Sequence, residues 1–343
     1  MTTRFLLLIA TFLSLYSGSA QAESSCASRD FRAVLGPIRN QKELSWCYAV
    51  SSADLITQKT HRRVSSADLA VTFIMQSPQE LVAKGGPEIQ RYLERNPDFL
   101  TQLTHQRKNE DINFDPKEID TEKGLIDSGG DASFAIFLAN AKGSCLEKEF
   151  PTDDALILKL IKQAKREVLK TIDRDPPMSQ TDPTSALKNP VSIAIAKRFE
   201  KIVNQHCRRK GYTNPLIPVR LGELDIDTYI AKYKDDVSGR KVLHDKLFRE
   251  MNEALDTNHA VEIGYNLYSV AEKPADQRER DGDHSGVIAG RKMIQGQCHY
   301  LLRNTQGPGC DFLPKFEKRC SNGHIWITRE ELEPTFYGLS FIQ

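Results

Sequence analysis

Gln41 stands six residues ahead of Cys47, and Cys47 opens a run, Tyr48-Ala49-Val50-Ser51-Ser52-Ala53-Asp54-Leu55-Ile56, whose apolar residues recur with helical spacing. That arrangement puts a thiol at a helix N-terminus, where the positive end of the backbone dipole favours thiolate over thiol and makes a nucleophile at neutral pH. A Gln amide within reach of the same point can donate to an oxyanion. The chain must therefore bury this helix while leaving its first residue reachable.

With 343 residues, 39% of them apolar, and a formal net charge of +1, the chain can fill one or two compact units and carries no global bias toward nucleic acid or a membrane surface. Its first residues have their own meaning. Arg4, the apolar run Phe5 to Tyr16 and the A-x-A motif in Ser19-Ala20-Gln21-Ala22 read as a secretory signal peptide cleaved near Ala22. No other segment approaches the roughly 20 apolar residues a membrane span needs.

Export changes how the seven cysteines are read. In an oxidising compartment most thiols pair, so Cys26, Cys145, Cys207, Cys298, Cys310 and Cys320 are expected to form three disulfides and leave Cys47 over. A zinc site from Cys298, Cys310, Cys320 and His324 is the weaker alternative, because no close Cys-x-x-Cys pair is present.

A second constellation lies downstream. Asp281-Gly282-Asp283-His284-Ser285-Gly286-Val287-Ile288-Ala289-Gly290 and Tyr300-Leu301-Leu302-Arg303-Asn304-Thr305-Gln306-Gly307 each join a short hydrophobic strand to a Gly-rich turn. Together with Asn40-Gln41, five residues, then Cys47-Tyr48-Ala49-Val50-Ser51, these blocks resemble the papain family of cysteine peptidases in the family's order. The resemblance implies Cys47 as nucleophile, His284 as general base and acid, Asn304 as the residue orienting the imidazole, and Gln41 as oxyanion donor. It also implies Gly129, Gly130 and Asp283 as substrate-binding positions. Val64-Ser65-Ser66-Ala67-Asp68-Leu69 resembles a helix start of the family, with Ser65 as N-cap and Asp68 at the capping-box position.

The chain departs from the family in three places. Gln306 stands where the family usually has a Trp shielding the Asn-His contact. Trp46 and Tyr48 flank the nucleophile, where the family shows a small residue and a Trp, and the family's disulfide from the turn before the nucleophile is absent. Between Pro151 and about Met251 the chain carries extra residues that read as helices over Leu156 to Ile172, Val191 to Arg209 and, broken near Ser238-Gly239, Tyr229 to Leu255. The 24 residues between the cleavage site and Cys47 leave no room for an inhibitory pro-segment.

The expectation is thus an α+β, papain-like two-lobe fold with an inserted helical subdomain. Residues 1–22 are the signal peptide and 23–343 the catalytic domain, divided into a mainly helical left lobe (27–151), the helical insertion (152–251) and a β-barrel-like right lobe (252–343). The expected activity is that of a secreted or periplasmic cysteine endopeptidase, with no cofactor and no metal. Its partners are a polypeptide substrate and a proteinaceous inhibitor, not nucleic acid and, after signal cleavage, not a membrane. The alternatives are a cysteine amidase or transpeptidase on cell-wall or isopeptide bonds, and a catalytically weak binding module.

Overall fold

A computed structural model describes residues 26–41, 44–75, 130, 132–172, 190–208, 237–267, 283–310 and 314–342. The signal peptide, Gly129, Gly282 and the stretch from Tyr229 to Asp236 lie outside the described residues.

Cys47–Thr60 form helix α1, and the positions from Tyr48 to Thr57 are all buried, so α1 runs through the protein rather than along its surface. Ser66–Met75 form α2, and Ser65 Oγ accepts the Asp68 N–H (3.1 Å), as an N-cap does. The Asp68 carboxylate does not close the box; it accepts the Cys145 N–H instead (2.7 Å). Ala132–Lys142 form α3, Asp154–Ile172 α4 and Pro190–Arg208 α5. Asp153 caps α4 by accepting the Leu156 N–H (2.9 Å), and Pro190 opens α5, where its missing N–H costs nothing. Ile157, Ile161 and Ala164 of α4 face the same buried cluster as Phe199, Ile202 and Val203 of α5 and the apolar residues of α1 to α3. Val237–Asp256 form α6, which continues through Ser238 and Gly239 where a break was expected.

Among the described residues seven strands make one sheet: β1 (Arg29–Asp30), β2 (Val261–Asn266), β3 (Asp283–Ile294), β4 (Gln297–Arg303), β5 (Cys320–Ser321), β6 (His324–Thr328) and β7 (Phe336–Ser340). Their order is β5-β6-β4-β3-β2-β7, with β1 added on β3, and every pairing is antiparallel. The expected barrel-like closure is not formed: the sheet is open, with β5 and β7 as its ends among the described residues. The reason lies in what covers it. Val287, Ala289 and Leu301 turn toward the helical cluster, while Val261, Ile263, Ile288 and Leu302 pack with Leu247, Phe248 and Met251 of α6. Each face is thereby buried by helix, and closure is not needed to remove it from water.

Three disulfides, Cys26–Cys298, Cys145–Cys207 and Cys310–Cys320, leave Cys47 free. Cys298, Cys310 and Cys320 are therefore not available as zinc ligands. Cys145 and Cys207 come near the Asp68 carboxylate, but as a disulfide they too are spent. No described helix is long and apolar enough to cross a membrane.

α1 and the sheet are joined by a buried ion cluster. Asp54, two turns along α1 from Cys47, accepts from Arg39 Nε (2.9 Å) through one carboxylate oxygen and from Arg303 Nε (2.6 Å) through the other, with all three side chains at most 2% exposed. Removing one partner of a buried pair leaves uncompensated charge behind. Asp54→Ala should lower the unfolding free energy by about 3–5 kcal/mol, measured by urea titration of the oxidised protein. A loss below about 1 kcal/mol, the range of an exposed pair, would show that the arginines are satisfied without it.

Candidate active site

Cys47 is the first residue of α1, so its own N–H and those just after it have no partner inside the helix. Across from it, β3 brings Ser285, whose backbone N–H is placed to donate to the Cys47 sulfur, as are the N–H groups of Tyr48 and Cys47 itself. His284 precedes Ser285, is buried, and pairs across the strands with Tyr265 of β2. The nucleophile, its candidate base and a set of donors are thus brought together from elements more than two hundred residues apart in the chain.

Gln41 is positioned by two sets of bonds. Its backbone N–H donates to Thr305 O (2.8 Å), beside an antiparallel bridge between Asn40 and Gln306. Its side-chain Nε2 donates to Leu44 O (2.9 Å), and its Oε1 accepts from the Thr305 hydroxyl (2.6 Å). These opposite requirements fix which end of the amide is nitrogen.

Thr305 also decides the state of the base. With its one proton given to Gln41, Thr305 Oγ1 can only accept from His284 Nε2 (3.0 Å). The neutral imidazole therefore carries its proton on Nε2 and keeps the lone pair on Nδ1. Asn304 lies beside the ring and is itself buried, but neither of its amide atoms completes a hydrogen bond. It is nonetheless close enough for a weak side-chain hydrogen bond to the imidazole, short of ideal geometry, that opposes the fall in the His284 pKa. The sequence assigned the orienting role to Asn304; the structure sets Asn304 beside the imidazole and adds a hydrogen-bonding neighbour, Thr305. Thr305 was within the block that drew attention, but a hydroxyl beside an Asn gives no signal of its own in sequence.

The turn that presents Asn304 needs glycine. Asn304 N–H donates to Gly323 O (3.1 Å), and Gly323 has φ 71°, with a Cβ there falling 2.3 Å from Gly307 O. Gly130 is held close as well: a Cβ would lie 2.7 Å from the Phe73 ring and 2.8 Å from that of Tyr48, the residue after the nucleophile. Asp283 opens β3 opposite Asn266. Trp46 is fully buried among the helices.

Electrostatics run against a preformed ion pair. Cys47 keeps part of its surface exposed, yet its thiol sits in dense packing, and desolvation pushes it up to about 11 against the pull of the three N–H groups, with the charge of Glu262 adding to the rise. Burial likewise drives His284 down to about 4. Glu262 is buried between two hydroxyls, accepting from Ser285 Oγ (2.8 Å) and Ser340 Oγ (2.5 Å). Both shifts favour the uncharged forms, thiol and imidazole, and run against the direction expected from the helix dipole alone.

No protein-family model matches the chain, and no curated protein does. Among solved structures it is similar to procathepsin L 3 of the Tenebrio molitor larval midgut, with 10% identity and a TM-score of 0.41 over 92% of this chain and 69% of that one. It is also similar to the clostridial cysteine protease Cwp84 after propeptide cleavage, with 12% identity and a TM-score of 0.40 over 93% of this chain. The chain spans 58% of the length of Cwp84. Likenesses this distant decide nothing about the site, and the functional reading rests on its geometry.

Because the thiolate fraction grows tenfold per pH unit below the thiol pKa, alkylation of Cys47 by iodoacetamide should climb by about that factor per unit from pH 6 to 9. Mass mapping across the pH series measures it. A rate that is level over that range would show the ion pair already formed.

Proposed function

We propose that this protein is an exported cysteine endopeptidase that hydrolyses peptide bonds at Cys47. The observation that carries the proposal is the hydrogen-bond relay Gln41–Thr305–His284, ending at the residue before Ser285, whose N–H meets the free thiol. It supports an oxyanion donor and a base held by one hydroxyl. Three disulfides fit an oxidising compartment, periplasmic or extracellular.

In this reading Cys47 Sγ attacks the scissile carbonyl carbon while His284 Nδ1 takes the thiol proton. The imidazole is neutral above about pH 4 and so can accept it. The carbonyl oxygen becomes an oxyanion held by the second Gln41 Nε2 hydrogen and the Cys47 N–H. Collapse breaks the C–N bond, and His284 passes its proton to the leaving amine. Water then attacks the thioester with His284 as base, and the acid product and the thiol are released. Forming charges only along this path keeps the desolvated site uncharged at rest.

The helices of 27–151 and the strands of 252–343 are read as two lobes flanking the cleft, with the helices of 152–251 bordering it and setting substrate choice. Gly129, Gly130 and Asp283 are assigned to substrate binding, the glycines as bare backbone for an extended chain. An amidase or transpeptidase shares every step as far as the thioester and differs in the bond it accepts or the acceptor it uses; a peptide-versus-amide substrate panel separates the two.

Labelling by an epoxide inhibitor of papain-like enzymes, mapped to Cys47, tests the proposal. A chain that takes no label and cleaves no peptide in a broad panel is a binding module. Within an active enzyme, Gln41→Ala should lower kcat by roughly 10²-fold with little change in KM, since the lost donor acts on charge that exists only in the transition state. An effect confined to KM would make Gln41 a binding residue. Thr305→Val should cost more in kcat than Asn304→Ala, because Thr305 is the residue bonded to the imidazole. The reverse order, measured on one fluorogenic peptide, would return the orienting role to Asn304.

A further inference from the structure

Asp68 is a buried acid that neither the ion cluster around Asp54 nor the proposed mechanism uses. It stands in the first turn of α2, and both of its oxygens are turned to one disulfide. Oδ2 accepts the Cys145 N–H (2.7 Å), and Oδ1 lies 3.8 Å from Cys207 Sγ. Asp68, Cys145 and Cys207 are all buried, so no bulk water serves the carboxylate there. A bridged sulfur carries no hydrogen, and Oδ1 therefore faces it without receiving a bond. Half of a desolvated carboxylate is left unsatisfied, a costly state for a charged group. Among the described residues no acid lies against both sulfurs of either other bridge in this way.

Reduction supplies the missing donor. Two electrons and two protons turn the bridge into two thiols, and the Cys207 S–H, although a weak donor, then stands where Oδ1 can accept it. We propose that Cys145–Cys207 is a redox-responsive bond rather than a fixed staple: the Asp68 carboxylate favours its dithiol form, and opening releases the C-terminal end of α5 from the segment that follows α3. The reductant is a dithiol, which closes its own disulfide as it gives up the two electrons and two protons. Burial pushes the Asp68 carboxyl up to about 6 against the pull of the Cys145 N–H, and Glu200 of α5, the charged group facing it, adds to the rise. The sign follows. A donor gained on reduction lowers the Asp68 pKa, so the dithiol is favoured above about pH 6, where the carboxyl of the bridged form is ionised, and the preference is lost as pH falls through that value.

The test brings the full mature chain to equilibrium with reduced and oxidised dithiothreitol between about pH 5 and about pH 7.5, with a selenol catalyst, and reads each cysteine by alkylation and mass mapping. Well below the thiol pKa range the protein couple and the reagent couple take up the same two protons, so an exchange constant that involves thiols alone is level with pH. For Cys145–Cys207 the constant should rise roughly tenfold toward the dithiol as pH rises through about 6, while those of Cys26–Cys298 and Cys310–Cys320 stay level. Asp68→Asn keeps an acceptor for the Cys145 N–H and removes the charge; its constant should be level and, at the upper pH, about tenfold below wild type. Amide hydrogen exchange in the last turn of α5 should quicken in the dithiol form. A level wild-type profile, a rise shared by all three bridges, a variant that keeps the rise, or unchanged exchange in α5 would overturn the proposal. If Asp68→Asn does not fold, the wild-type series decides alone, with the other two bridges as internal standards. Cys47 takes no part, so the outcome is independent of its reading as nucleophile.

Discussion

One buried carboxylate carries the geometry of the site. Asp54 shares its two oxygens between Arg39 and Arg303. The three residues belong to the segments that matter most: Asp54 to the helix that begins at Cys47, Arg39 to the approach to Gln41, and Arg303 to the strand end that continues into Asn304 and Thr305. The arginines are then satisfied outward. Arg39 reaches Glu147 and Thr57, and Arg303 donates to Gly36 O, Pro37 O and His324 Nε2. His324 can accept because burial and the neighbouring guanidinium hold its pKa down to about 4, and its Nδ1 faces Asn322 O. Buried ions are poor sources of net stability but demanding in geometry, since any misplacement leaves a charge unpaired. Here that demand fixes the helix against the sheet.

The chemistry of the site follows from a contest in which packing prevails. A helix N-terminus contributes about 0.3–1 kcal/mol toward an anion, and three N–H groups at the sulfur add to it. Desolvation of the thiol, with Glu262 close by, outweighs both, and the same desolvation strips the imidazole of its proton. The balance favours an uncharged pair at rest, and in the proposed mechanism proton transfer is deferred to the moment of attack. In that mechanism Thr305, bonded to Gln41 Oε1, holds the proton of His284 on Nε2.

Much of the architecture was legible in the chain. The helices at Cys47, Ser66, Asp154 and Pro190 follow apolar spacing and capping residues, and the strands around His284 and before Asn304 follow hydrophobic runs ended by glycine turns. The odd cysteine count singled out Cys47. The open sheet was not legible, because closure depends on what covers each face, and which face α6 covers is set by tertiary packing although α6 directly precedes β2 in the chain. Asp54 did carry a signal: it is the one acidic residue in the helical run from Tyr48 to Ile56, and a charge inside an all-buried helix needs a partner. Its partners lie 15 residues before it and 249 after it, at distances that no local pattern connects.

What the sequence by itself determined is the set of reactive groups and the elements that hold them: a thiol at a helix start, an amide six residues ahead, a histidine at a strand start and an asparagine at a strand end. Those follow from local periodicity and residue chemistry. Only the tertiary structure decided which group bonds to which, how the proton sits on the imidazole and whether the pair is charged. Those properties depend on hydrogen-bond distance and on the removal of water, and both are set by packing between segments remote in the chain.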